Sequence, residues 1–247
     1  MGRKVGESAD RVLFEELEPR VLLDGNVTVN EWAWWSGDMK IKGDAANNDI
    51  LITPGPGARE FYVQGRNNTT VNGQPWVLVK GVWDDIKIKM KGGADVVELN
   101  NGCAVSDRVE FKGGGGSDTL FVNNSTIWGK LKYSGNWGHD ALFTWHSWFD
   151  RKAYIEGGPG QEEFYFDTST FNRGVRASAS RGHGEHIHFE NCTFNGWVSA
   201  YLGAGDDFFC LINCAVNAGG RANGGWGWDD ANWTGSYPTF YLKNFEA

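Results

Sequence analysis

Eight acidic residues recur along this chain at nearly constant spacing: Asp49, Asp95, Asp118, Asp140, Glu162, Glu185, Asp207 and Asp229. Their separations are 46, 23, 22, 22, 23, 22 and 22 residues, and 46 is two units of 23. Carboxylates in such a series can do two kinds of chemistry. Stacked turns rich in oxygen can hold a hard cation such as Ca²⁺, and two carboxylates converging across one bond can hydrolyse a glycoside. The first use makes Asp95, Asp118, Asp140, Glu162 and Asp207 the candidate calcium ligands, and calcium the one cofactor the pattern admits. The alternative is that each acid only satisfies the backbone of its own turn. The second use needs convergence, which one acid per repeat does not supply, so no catalytic residue is assigned and the expectation is a non-enzymatic protein.

Aromatic residues keep the same phase. Phe121, Phe143, Tyr165 and His188 stand three residues after successive acids. Trp128, Trp148 and Trp197 add ring surface, with Trp137, Trp145, Trp226 and Trp228 expected in turns. The chain has 13 tryptophans, more than a narrow core can take in. Much of this surface must meet water or a partner, and large exposed apolar patches mark interaction sites. A second copy of the chain and a polysaccharide are the expected partners. Lys130, Lys132, Lys152, Arg173 and Arg176 gather near a common strand and read as an ordinary solvated face.

A repeat must position these residues. Two after the acid stand Leu51, Val97, Leu120, Leu142, Phe164, Ile187 and Phe209, and four after stand Val122, Thr144, Phe166, Phe189 and Leu211. That alternation is a short strand with these side chains inward. Seven after comes a small residue, Ser125, Ser147, Ser169, Cys192, Cys214 or Ser236, and nine after comes Ile127, Phe149, Phe171, Phe194 or Val216. Cys103 joins the small column with a shift of one. Leu131/Tyr133, Ala153/Ile155, Val175/Ala177 and Val198/Ala200 make a third strand.

Three strands per 22–23 residues describe one coil of an all-β, right-handed, three-faced parallel β-helix. Cys103, Ser125, Ser147, Ser169, Cys192 and Cys214 are then one inward core column. Cys192 and Cys214 would be stacked with parallel Cβ vectors, which suits buried thiols better than a disulfide. Cys210, on the other pleat, is expected to point outward.

Before Asp95 the register blurs. Residues 26–91 read as an irregular cap and first coils, with a hairpin turn at Val71–Gln74 between arms Phe61–Val63 and Val77–Val79. Residues 92–247 carry the regular coils and a closing strand. In residues 1–25, Leu13, Phe14, Leu17 and Val21–Leu23 have helical spacing, so a short N-terminal helix is expected to cap the core.

Within that segment, Leu17-Glu18-Pro19-Arg20-Val21-Leu22-Leu23 resembles the LEPR-XLL motif of bacterial surface proteins, notably of planctomycetes. The resemblance implies an extracellular, cell-surface location and no particular activity. Gly114–Val122 is similar to the glycine-aspartate nonapeptide of RTX proteins, which binds Ca²⁺, although those repeats recur every nine residues. Gly182-His183-Gly184 and Gly205-Asp206-Asp207 look like two polygalacturonase motifs. Their order is reversed here, that family's Asn-Thr-Asp and Arg-Ile-Lys are missing, and both fragments are turns of the repeat.

Composition sets outer bounds. A net charge of −8 argues against long-range attraction to nucleic acid or anionic membrane. No apolar run approaches the roughly 20 residues of a membrane span. The 35 glycines follow no triplet rule, and 40% hydrophobic residues are too many for a disordered chain. The four cysteines lack CxxC spacing, which weakens a zinc reading. Asn67, Asn68, Asn123, Asn124, Asn191 and Asn232 begin Asn-x-Ser/Thr sequons and read as turn residues. The expected function is a structural subunit that assembles with itself into a surface fibre or array through Phe121, Phe143, Tyr165, His188, Trp137, Trp148, Trp197 and Trp226. The alternatives are a carbohydrate-binding adhesin and, less favoured, a β-helical polysaccharide lyase or hydrolase.

Overall fold

Strands form where apolar and polar residues alternate, and the 22–23-residue period lays them side by side. The computed structural model describes residues 25–31, 33, 35–179, 184–235 and 240–246. Three sheets share these residues. The first contains Val96–Leu99, Thr119–Asn123, Ala141–Trp145, Glu163–Asp167, His186–Glu190, Phe208–Ile212 and Asp230–Thr234, each parallel to the next. The second is built from two-residue strands, Ala104–Val105 through Ala215–Val216. The third runs from Met39–Lys42 and Ile86–Gly92 through Val109–Gly115 and Leu131–Trp137 to Phe240–Lys243. The chain visits the sheets in turn, making a parallel β-solenoid of about seven turns with no helix among the described residues.

The expected inward columns are the core. Leu120, Leu142, Phe164, Ile187 and Phe209 are fully buried and in register. Phe149, Phe171 and Phe194 form a ring stack with centroid separations of 4.7 and 5.2 Å. Those distances match the strand spacing of about 4.8 Å, so the backbone repeat sets the ring contact.

The turn from the first to the second sheet explains the small column. Asn124, His146, Thr168, Asn191 and Asn213 there have left-handed backbone, with φ between 44° and 53°. Asparagine tolerates that conformation better than most residues, which is why it recurs. The next residue then points inward at a tight bend. Ser147 Oγ lies 2.9 Å from the carbonyls of both Val122 and Trp145, which share its one proton, and accepts the Ser125 N–H at 3.2 Å. The Cys192 N–H donates to Cys214 Sγ at 3.4 Å, so thiols substitute for hydroxyls in the same chain of bonds. All four cysteines are buried thiols.

The first coil departs from the expected register. Asn48, not Asp49, occupies the acid column, and its N–H donates to Asp95 Oδ1 at 2.7 Å. Ile50 and Ile52 face inward opposite Val97 and Leu99, so Leu51 does not. Asp49 is outward and pairs with Arg66 at 2.7 Å. An excursion between the first two coils lengthens this double unit and shifts its phase by one residue. Phe61, Tyr62 and Val63 pair antiparallel with Val79, Leu78 and Val77, as the sequence suggests. Their connection carries an additional strand, Thr69–Val71, parallel to Gly25–Val27.

Two other expectations need correction. Trp145 lies in a strand of the first sheet, and Trp137 and Trp226 close strands of the third, so of the four tryptophans expected in turns only Trp228 lies between strands. Cys210 is on the outward pleat yet 1% exposed, because this short side chain sits in register between the longer His188 and Asn232. The expected N-terminal helix with its LEPR-XLL residues, together with His183 and Ser236, lies outside the described residues.

Candidate functional site

The acid column faces the interior at the corner between the third and first sheets. Asp95, Asp118, Asp140 and Glu162 have no exposed surface, and Asp207 is 2% exposed. Each acid except Glu162 takes a backbone N–H from the coil before it. The Asp95 N–H donates to Asp118 Oδ1 at 3.0 Å, and the Asp118 N–H to Asp140 Oδ1 at 2.8 Å. The Glu162 N–H donates to Glu185 Oε2 at 2.7 Å, and the series continues through Asp207 to Asp229. One rung is imperfect: the Asp140 N–H faces the Glu162 carboxyl, but neither Glu162 oxygen closes a hydrogen bond.

Among the described residues, the second oxygens of Asp140, Asp207 and Asp229 meet no hydrogen-bond partner, while the carboxyls of Asp95 and Asp118 interact with each other. The second oxygens of Asp118 and Asp140 pack against Gly113 and Gly135, where any Cβ would collide with them. Burial, reinforced by the neighbouring acids, raises Asp118 to about 7 and Glu162 to about 9. Burial also raises Asp95, Asp140 and Asp207. Glu162 therefore keeps its proton at neutral pH and Asp118 is about half protonated there, so these two rungs of the ladder carry protons.

Calcium takes six to eight oxygen ligands. Among the described residues, three candidate ligand atoms lie within 4.8 Å of one another at Asp38, Asp84 and Asp85. Lys87 already occupies that cluster, 2.7 Å from Asp38 and 3.1 Å from Asp85, and Arg108 also pairs with Asp85. The acid column contributes no such group of three.

On the outside of the first sheet, Phe121, Phe143, Tyr165 and His188 stand in register, half-buried. Phe121 and Phe143 stack at 5.2 Å, and Tyr165 and His188 at 4.4 Å. Trp145 lies flat against Phe143 at 5.5 Å. The ring faces are thus spent on one another and the edges meet solvent. The Tyr165 hydroxyl donates to Glu190 Oε2 at 2.9 Å, and the same oxygen lies 3.3 Å from His188 Nε2. Burial, then Glu190, pushes the Tyr165 phenol up to about 12. It therefore stays protonated near neutrality and serves as a donor rather than a base. Sequence reasoning missed Glu190, although it occupies the outward position five after an acid, as Trp145 does.

Open ring faces lie instead at the corners. Trp137 and Trp226 hold equivalent places at the end of third-sheet strands, opposite Gly115 and Ala204, with Trp228 just beyond. No protein family, curated protein or solved structure matches this chain. Its functional reading therefore rests on its own surfaces. At the other end of the third-sheet strands, Trp128 is 54% exposed and packs edge-on against Trp148, and Trp197 is 41% exposed. Beside them runs an amide ladder that periodicity could have revealed, since its members stand ten residues after an acid. Asn217 donates to Asn195, Asn195 to Asn172 and Asn172 to Asp150, at 2.8, 3.2 and 2.9 Å.

Proposed function

We propose that this chain is a non-enzymatic structural solenoid, displayed at a bacterial cell surface, that associates with further copies of itself through its tryptophan corners. The observation that carries the reading is the exposure of Trp137 and Trp226, at 70% and 85%, on the ends of third-sheet strands, and of Trp228, at 76%, just beyond. Packing one such ring against a neighbour is worth a few kcal/mol at about 25 cal/mol per Å². The net charge of −8 opposes association only weakly at moderate salt, where the Debye length is about 8–10 Å. Contacts that repeat without closing build a filament or array. The inward direction of the turn acids and the protonated Tyr165 support a non-catalytic role. The coil is taken as right-handed, as parallel crossovers in one sheet nearly always are. Surface display and a capping N-terminal helix rest on the LEPR-XLL resemblance and the helical spacing of residues 13–23.

Sedimentation velocity across a concentration series tests this. Association is expected, and replacing Trp137, Trp226 and Trp228 together by serine should abolish it while the fold persists. A monomer at the highest concentration would overturn self-assembly. The same open indole faces favour a carbohydrate-binding adhesin as the second reading, which monomeric protein retained on neutral glycans, and released by the triple variant, would establish. New reducing or unsaturated ends on incubation with glycans would overturn the non-enzymatic assignment.

A further inference from the structure

The outer face of the third sheet is basic, on a chain whose net charge is −8. Two outward columns run along it in register. One holds Lys40, Lys87, Glu110 and Lys132, and the other Lys42, Lys89, Lys112 and Ser134. Lys130 adds a further cation at the rim. Lys42, Lys89 and Lys112 are three like charges on adjacent strands about 4.8 Å apart, an arrangement that destabilises a sheet unless something offsets it.

The protein offsets only part of it. Lys112 pairs with Glu110 at 3.0 Å, and Lys87 pairs with Asp38 and Asp85. Lys42, Lys89, Lys130 and Lys132 make no ion pair among the described residues. Two surface depressions cover this face, one lined by Lys40, Lys42, Lys87 and Lys89, the other by Lys130, Lys132 and Tyr154 and closed at its far end by the carboxylate of Glu156. Both include Glu110 and Lys112, so they join into one trough along the solenoid axis.

We propose that this lysine trough binds a linear acidic polysaccharide, lying along the axis with one carboxylate per sugar residue. The cations repeat at the coil spacing, about 4.8 Å, and a chain of pyranose rings repeats its carboxylates at a similar distance. Lysine meets that partner as a compact point charge, one carboxylate at a time, without imposing the bidentate geometry that arginine would. Within the trough Tyr154 is the one exposed-side aromatic ring, and Lys152 already lies over it at 5.7 Å, which leaves no platform for stacking bases. The overall acidity repels a dense polyanion at long range, and so favours a partner of lower charge density.

Affinity electrophoresis of the full chain through gels containing polygalacturonate is the test, with the fully methyl-esterified polymer as the neutral control. Retardation is expected in the acidic polymer alone, weakening as salt is raised. Lys89→Glu with Lys112→Glu should weaken binding at least tenfold, and the milder Lys89→Gln with Lys112→Gln should weaken it less. Lys243→Glu, at the far end of the same column, should leave it unchanged. Circular dichroism of each variant confirms the fold. Absence of retardation, equal retardation in the esterified polymer, or unchanged binding by folded Lys89/Lys112 variants would overturn the proposal. Tighter binding of a single-stranded oligonucleotide than of polygalacturonate would overturn it in favour of a nucleic-acid partner.

Discussion

Replacing Glu162 by glutamine should stabilise this protein above neutral pH. The side chain is fully buried, neither oxygen closes a hydrogen bond, and Asp140 and Glu185 lie next to it in the ladder. Burial and those neighbours raise its pKa from 4.5 to about 9. The folded state therefore holds a proton that the unfolded chain has already released. The resulting stabilisation is fully present below pH 4.5 and is lost as pH rises through about 9. Within that window each pH unit removes about 1.4 kcal/mol. At pH 7.5, three units into the window, the loss is about 4 kcal/mol, an upper bound because the neighbouring acids share the burden. Glutamine keeps the shape and cannot ionise. Its Tm should exceed that of the parent by roughly 5–10 °C at pH 8, and the difference should vanish near pH 4.5. Differential scanning calorimetry from pH 4.5 to 9 reads this directly. Parallel pH profiles for the two proteins, or a variant less stable at pH 8, would refute the protonated-ladder account.

Two further outcomes follow from burial and backbone geometry. Burial pushes the thiol pKa of Cys103 to about 12 and of Cys210 to about 11, so an aromatic disulfide reagent at pH 8 should react slowly with native protein and titrate four thiols once it is denatured without reductant; fewer than four would show a disulfide. Gly114→Ala should cost several kcal/mol, because φ is +133° and a Cβ would collide with the Lys91 carbonyl, whereas Gly102→Ala, at φ +84° with open space, should cost about 1–2 kcal/mol; equal losses of Tm would contradict the close packing of successive turns.

Most of the architecture was legible because a solenoid repeats its burial pattern every coil. Phe149, Phe171 and Phe194 could be aligned from spacing alone, and the stack they form follows from that alignment. The direction of the acids was not legible. Periodicity shows that Asp118 and Asp140 are equivalent, but their partner is a backbone N–H one coil away, which leaves no mark in composition. Gly113, Gly135, Gly157 and Gly224, each five residues before an acid, were the available sign that these carboxyls pack inward. The basic face escaped for another reason. Lys40 and Lys87 are neighbours in the sheet yet far apart in sequence, and the excursion between them hides the common phase. That same excursion leaves Asp49 with the spacing of a ladder acid while Asn48 takes the ladder position.

The nearest-neighbour character of the ladders has a consequence for how the molecule gains and loses length. Every rung, whether carboxyl, serine, asparagine or phenylalanine, bonds chiefly to the coil on either side. The molecule is in effect a one-dimensional lattice, whose stability is a sum of coil terms and interface terms. Excising residues 119–140 would bring Asp118 directly before Ala141, the residue that follows Asp140, and so rejoin every column in phase. A duplication of the same segment would extend them. Such a chain can change its reach by whole coils without redesigning any of them, and its weakest interface, rather than its average, decides where it comes apart.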